Sequence, residues 1–225
     1  MQTIESSTEK LADRFIQLWR TCSENASGGK EVWEALFTRY SEPHRFYHNL
    51  GHLEQCLGEM DVANSHIKEP EATELAIWFH DIIYRYGAKD NEELSAMTFR
   101  DEARSCMSGD LVKRVSDLII ATKHTGEAED EATAYLVDID LSGFGLPWEG
   151  YLADSEALRQ EAPQVSDHQY YQGKLRFLSE LTSWDRIFQT DYFNQQLESR
   201  ARENIARYVG QIKEQGLDQA PGDCA

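Results

Sequence analysis

The stretch EATELAIWFHDIIY, residues 71–84, reads as a buried helix. Leu75, Ala76, Phe79, Ile82 and Ile83 recur at helical spacing and share an inward face, and Gly87 offers a stop soon afterwards. The segment 75–83 is the longest largely apolar run in the chain, yet it is too short to span a bilayer and it holds His80 and Asp81. A bare carboxylate in such surroundings is strongly disfavoured, so Asp81 needs a basic side chain or a metal ion beside it. Adjacent helix positions diverge by about 100°. His80 and Asp81 can therefore meet one ion only if it lies off the helix between them.

The helical period extends outward from this stretch in both directions. Leu11, Phe15, Leu18 and Trp19 mark one face, and Trp33, Leu36, Phe37 and Tyr40 mark another, with Pro43 as a break after it. Further helices are expected over residues 48–62, 91–107, 111–122, 130–137, 151–161, 167–181 and 192–215. The Gly and Pro residues of 143–147 mark a loop. VDID at 137–140 comes nearest to a strand and is too short to carry a sheet. No repeat or low-complexity linker divides the chain. The pattern predicts a single all-α helical-bundle domain over residues 1–216, of about nine or ten helices, followed by a mobile tail at 217–225.

The chain's 225 residues suffice for one large domain. Its 40 acidic and 22 basic residues leave a formal charge of −18, which excludes general binding to nucleic-acid backbones or anionic membranes. A local basic pocket could still hold a phosphate. Hydrophobic residues at 40% and aromatic ones at 11% place the chain among globular rather than disordered proteins. Cys22, Cys56, Cys106 and Cys224 show neither a zinc-knuckle nor a disulfide-framework spacing, and the N-terminus lacks a signal-peptide pattern. A reducing cytoplasm is the expected location.

Seven histidines are present, and His44, His48 and His52 are spaced by four. If the chain is helical from His48, then His48 and His52 share a face; otherwise they lie exposed at a polar helix start. In VDIDLSGFG, residues 137–145, Asp138 and Asp140 precede a Gly-rich loop and would also suit a helix cap. His124 falls at a helix end, where a cation suits the dipole.

Taken in order, YHNLGHLEQCL (47–57), AIWFHDIIY (76–84) and VDIDLSGFG (137–145) resemble the HD-domain phosphohydrolase superfamily. More narrowly, Arg45–His52, Phe79–Tyr84, Asp90–Ala96, Thr122–His124 and Asp138–Ser142 are similar to segments of the small predicted metal-dependent HD phosphohydrolases, a resemblance covering roughly residues 40–205. The late stretch ESRARENIARY, 198–208, fits the same group. The resemblance implies an all-α bundle holding one divalent metal, with His52, His80, Asp81 and Asp140 as ligands; His48 and Asp138 are the alternatives.

Two imidazoles and two carboxylates suit Mn, Fe, Co, Ni or Zn better than Mg, and they leave positions open for water or substrate. The expected activity is hydrolysis of a phosphate ester or anhydride of a small metabolite, a nucleotide first of all, by a metal-activated water. Arg45 and Lys123 are candidates for holding the substrate phosphate, Arg45 because the family pattern places an arginine there. His48 and His124 are candidates for proton transfer, and Glu92 for orienting the water. Only His124 lies between the His-Asp pair and Asp140, which argues for one metal, and no GYP segment follows it, which argues against a cyclic-dinucleotide phosphodiesterase. The rival readings are a non-catalytic metal- or ligand-binding helical protein and an iron-dependent oxygenase.

Overall fold

The computed structural model describes residues 2–25 and 28–219, with side chains from residue 7 onward. Among these residues there are ten α-helices and no strand. The helices are α1 (Gln2–Cys22), α2 (Gly29–Tyr40), α3 (Leu50–Ala63), α4 (Pro70–Phe79), α5 (Asn91–Ala103), α6 (Gly109–Ala121), α7 (Glu131–Leu141), α8 (Trp148–Gln160), α9 (Asp167–Ser183) and α10 (Asp191–Glu214). Short 3-10 turns occupy Asn64–His66 and Ser142–Gly145. The helices form two compact units that divide after Ile139, near the end of α7. Among the described residues, no helix is long and apolar enough to cross a membrane.

The first unit is built around α4. Pro70 at its start presets the backbone and lacks an N–H that would otherwise be orphaned, while Glu71 in the first turn favours the helix dipole. Ala72, Thr73 and every residue of 75–79 are buried, so α4 is enclosed on all sides, against α1, α3, α5 and α6. Phe15 of α1 meets the Trp78 ring edge-on at 5.4 Å, Trp33 of α2 meets the same ring at 6.0 Å, and Phe79 meets Phe99 of α5 at 5.0 Å. Such pairs add about 0.5–1.5 kcal/mol each to the gain from burial. The Arg14 guanidinium donates to Asp61 and Glu74, tying α1 to α3 and α4. Gly28, with φ 84°, enters α2 through the left-handed region that glycine tolerates best.

Two expected helix ends are corrected. The buried helix expected over 71–84 ends at Phe79, and Gly87 (φ 75°) shapes the following loop instead of ending the helix. Side chains replace the next helical bonds. Arg45 donates to the carbonyls of Asp81 (2.7 Å) and Ile82 (2.9 Å), and the Ile83 N–H donates to Ser95 Oγ at 3.1 Å. The helix expected to reach residue 107 stops at Ala103, because the N–H groups of Cys106 and Met107 both donate to the Ala103 carbonyl and close a turn. VDID lies inside α7, where Val137, Asp138 and Ile139 are all buried, so its alternation reflects no pleat. Nor do Asp138 and Asp140 cap the start of that helix: Asp130 does, its Oδ1 accepting from the Thr133 N–H at 2.9 Å.

In the second unit α10 packs against α8, α9 and the Ser142–Gly145 turn. A Cβ on Gly145 would stand 2.7 Å from Leu197 Cβ, so only glycine allows this approach. Asn204 Nδ2 donates to the carbonyls of Phe144 and Leu146 and holds the loop that the Gly and Pro residues mark. Ser166 and Gln169 form a capping box on α9, and Thr190 caps α10. Gly216, with φ 65°, ends α10, and the Leu217 N–H donates back to the Ile212 carbonyl at 3.1 Å. Of the tail expected to be mobile, residues 217–219 lie in this turn, and residues 220–225 lie outside the described residues.

Candidate metal centre

Asn49 caps α3 by accepting the Gly51 N–H, and His52 stands in the first turn that this cap starts. His80 is the cap at the end of α4, and Asp81 opens the turn after it. Leaving the α-helix at this point removes the obstacle the sequence posed: the two neighbouring side chains converge instead of diverging. His80 Nε2 lies 3.0 Å from Asp81 Oδ2, and His52 Nε2 lies 3.2 Å from His80 Nε2 and 3.6 Å from Asp81 Oδ2. Donors at about 2.1 Å from one ion stand about 3.0–3.4 Å apart at octahedral or tetrahedral angles. The three atoms therefore span one face of such a polyhedron without large movement.

The tautomer of His80 follows from its other nitrogen. Nδ1 is 2.8 Å from the Ile77 carbonyl, which can only accept, so Nδ1 carries a proton, and in the neutral ring Nε2 is the nitrogen left to bind an ion. Two nitrogens and a carboxylate oxygen this close together hold electron density that only a proton or a cation can bridge. The His52 and His80 side chains are 2% exposed and Asp81 is 17% exposed, so the group is closed by its imidazoles and open at its carboxylate.

His48 lies on the open side, its Nε2 3.9 Å from Asp81 Oδ2. Its ring stacks on Tyr84 at 3.8 Å and meets Tyr47 edge-on at 4.9 Å, which fixes its plane. Of the two options for the spacing-by-four histidines, His52 is inside and His44 is exposed, near Glu42. Asp140 is half-buried in the last turn of α7, at the first position of the second unit, and Asp138 is fully buried two residues before it.

The remaining expected site residues take other positions. Arg45, expected to face a phosphate, is 6% exposed; it donates to Glu42 Oε2 and to the carbonyls of His48, Asp81 and Ile82. It thus clamps the turn carrying His80 and Asp81 onto the segment carrying His48. Lys123, the second candidate for phosphate, pairs with Glu93 and donates to the Lys89 carbonyl. The hydrogen bond to Glu93 raises the Lys123 pKa, and the charges of Glu92 and Asp90 add to it. Glu92 stands in the first turn of α5, where its charge acts on Lys123. His124 occupies the turn after α6 with φ 53°.

Sequence reasoning missed several contributors. In DNEELSA it singled out Glu92, whereas Asn91 and Ser95 make the useful bonds. Asn91 accepts from the Arg85 N–H and donates to the Arg85 carbonyl, and Ser95 accepts the Ile83 N–H. Together with Arg45 they hold the loop that follows Asp81. Cys56 is the other omission: its Sγ lies 3.6 Å from His52 Nε2. The signal for it was the i,i+4 spacing on α3. Comparison with family models, curated proteins and solved structures finds no match for this chain.

Proposed function

We propose that the protein is a metal-dependent phosphohydrolase acting on a phosphate ester or anhydride of a small metabolite, with a nucleotide as the first candidate. One observation carries the reading: His52 Nε2, His80 Nε2 and Asp81 Oδ2, from segments 28 positions apart, lie within 4.8 Å of one another. Their chemistry fits Mn, Fe, Co, Ni or Zn, with Asp140 proposed as a fourth ligand. A bound ion of this kind polarises a phosphoryl oxygen and makes a water more acidic.

The chain's own residues do the rest. His80 is oriented by the Ile77 carbonyl, and the Arg45 clamp holds the backbone that sets Asp81. Substrate reaches the cluster on the carboxylate side, where the protein is open. His48, stacked on Tyr84, stands there to move a proton at Nε2. Phe46, 47% exposed, offers a flat face that suits a nucleobase. The described cysteines Cys22, Cys56 and Cys106 are unbridged, which supports a reducing cytoplasm as the setting.

The test is phosphate release from a panel of nucleotides and sugar phosphates with Mn, Co, Ni, Zn and Mg, beside His80→Ala. Release that depends on metal and falls at least about 100-fold in the variant is expected. Release no greater than the variant's with every metal would overturn the proposal.

A further inference from the structure

We infer that the site acts on a substrate with a single phosphoryl group, a phosphate monoester such as a nucleoside monophosphate, and discriminates against di- and triphosphates. The inference rests on the metal-dependent reading above and narrows it from esters and anhydrides to monoesters.

The argument starts from where the positive charge of the first unit is committed. A polyphosphate chain is gripped by several cations at once, Arg forks or Lys ammonium groups that meet the phosphates beyond the reacting one. The segments 39–48 and 81–93, which flank the cluster in sequence, carry Arg39, Arg45, Arg85 and Lys89, and Lys123 joins them through its bond to the Lys89 carbonyl at 3.0 Å. Arg45 is turned inward: its side chain is 1% exposed and its donors go to Glu42 and to the carbonyls of His48, Asp81 and Ile82. Arg39 pairs with the same Glu42 at 3.2 Å, Arg85 with Asp90 at 2.8 Å, and Lys123 with Glu93. Lys89 is exposed, in a run that continues with Asp90, Glu92 and Glu93.

A single phosphoryl group needs none of these cations, because the charge held by His52, His80 and Asp81 meets it directly. A second or third phosphate brings further negative charge beside Asp81, whose carboxylate is on the open side, while the basic groups of these segments already face protein oxygens. Monoester hydrolysis closes without a co-reactant. The oxygen of water bonds to phosphorus as the bond from phosphorus to the ester oxygen breaks. One proton of that water ends on the departing alcohol, relayed by His48 Nε2, and the other stays on the phosphate.

Adenosine mono-, di- and triphosphate share base and sugar and differ only in phosphate number. With free manganese, cobalt or zinc held constant, kcat/KM of the full-length protein is expected to favour the monophosphate at least about tenfold, with adenosine as the product. Calorimetric titration gives a reading apart from turnover: inorganic phosphate is expected to bind the metal-loaded protein at least about tenfold more tightly than tripolyphosphate. Equal or faster hydrolysis of the di- or triphosphate or of pyrophosphate, or tighter binding of tripolyphosphate, overturns the charge argument and leaves a metal-dependent phosphohydrolase standing. Phosphate release from none of these nucleotides, from pyrophosphate or from sugar monophosphates with any of the metals overturns both.

Discussion

Arg45 carries a permanent positive charge in a chain of formal charge −18, and it spends that charge on the protein itself. Its contacts with the carbonyls of His48, Asp81 and Ile82 connect the two segments that carry the centre. Glu42 completes the arrangement. Burial alone would raise its carboxyl, but the hydrogen bond and charge of Arg45, with help from Arg39, hold it below the usual range. Arg45→Met leaves those carbonyls without their donor and Glu42 with Arg39 alone, and the expected loss is about 3 kcal/mol of stability. Denaturant melts measure it, and unchanged melts would show the clamp to be idle. Arg45→Lys should recover only part, since an ammonium cannot span the same carbonyls. The charge at residue 45 was legible in the sequence, but its partner was not, because the Asp81 carbonyl lies 36 positions away.

At the scale of elements, several helix starts carry local signals. Pro70, Ser108, Ser166 and Thr190 each begin a helix as their chemistry predicts. The end of α4 was not legible, because the groups that stop it come from Arg45 and Ser95 on other elements. Asp130 gives the sharpest test of a cap. It accepts from Thr133 at the start of α7 and pairs with Arg114 of α6, which also holds Glu69. The hydrogen bond from Arg114, against a smaller opposing effect of burial and with help from Thr133, lowers its carboxyl to about 2. A depressed acid contributes stability that is complete above its unfolded pKa of about 3.9 and is lost as pH falls through the folded value. Asp130→Asn keeps a capping acceptor and should flatten the stability profile between about pH 4 and pH 2. Asp130→Ala removes the cap as well and should cost about 1 kcal/mol at pH 7, the exposed ion pair adding little. Melts across that pH range decide it, and an acid limb unchanged in Asp130→Asn would refute the assignment.

For the molecule as a whole, a ligand that binds only the folded chain must stabilise it. Free zinc at about 100 times its dissociation constant should add about 2.7 kcal/mol, which for a chain of this size raises the melting temperature by about 5–10 °C. Chelation should reverse the rise, and His80→Ala should show none; a shift equal in both proteins would place the ion elsewhere. Such a measurement joins the centre to the fold, because the turn that carries His80 and Asp81 follows α4, whose Trp78 packs on Phe15 and Trp33. By itself the sequence determined the helical class, most helix starts and the candidates His52, His80 and Asp81. Periodicity, capping and buried charge depend on residues within a turn or two of each other. Tertiary structure alone decided that His80 and Asp81 point to one place, that Arg45 and Lys123 are occupied by protein oxygens, and that Cys56 faces His52. These outcomes depend on where distant backbone groups come to lie, and a charge or thiol buried among them takes whatever partner the packing delivers.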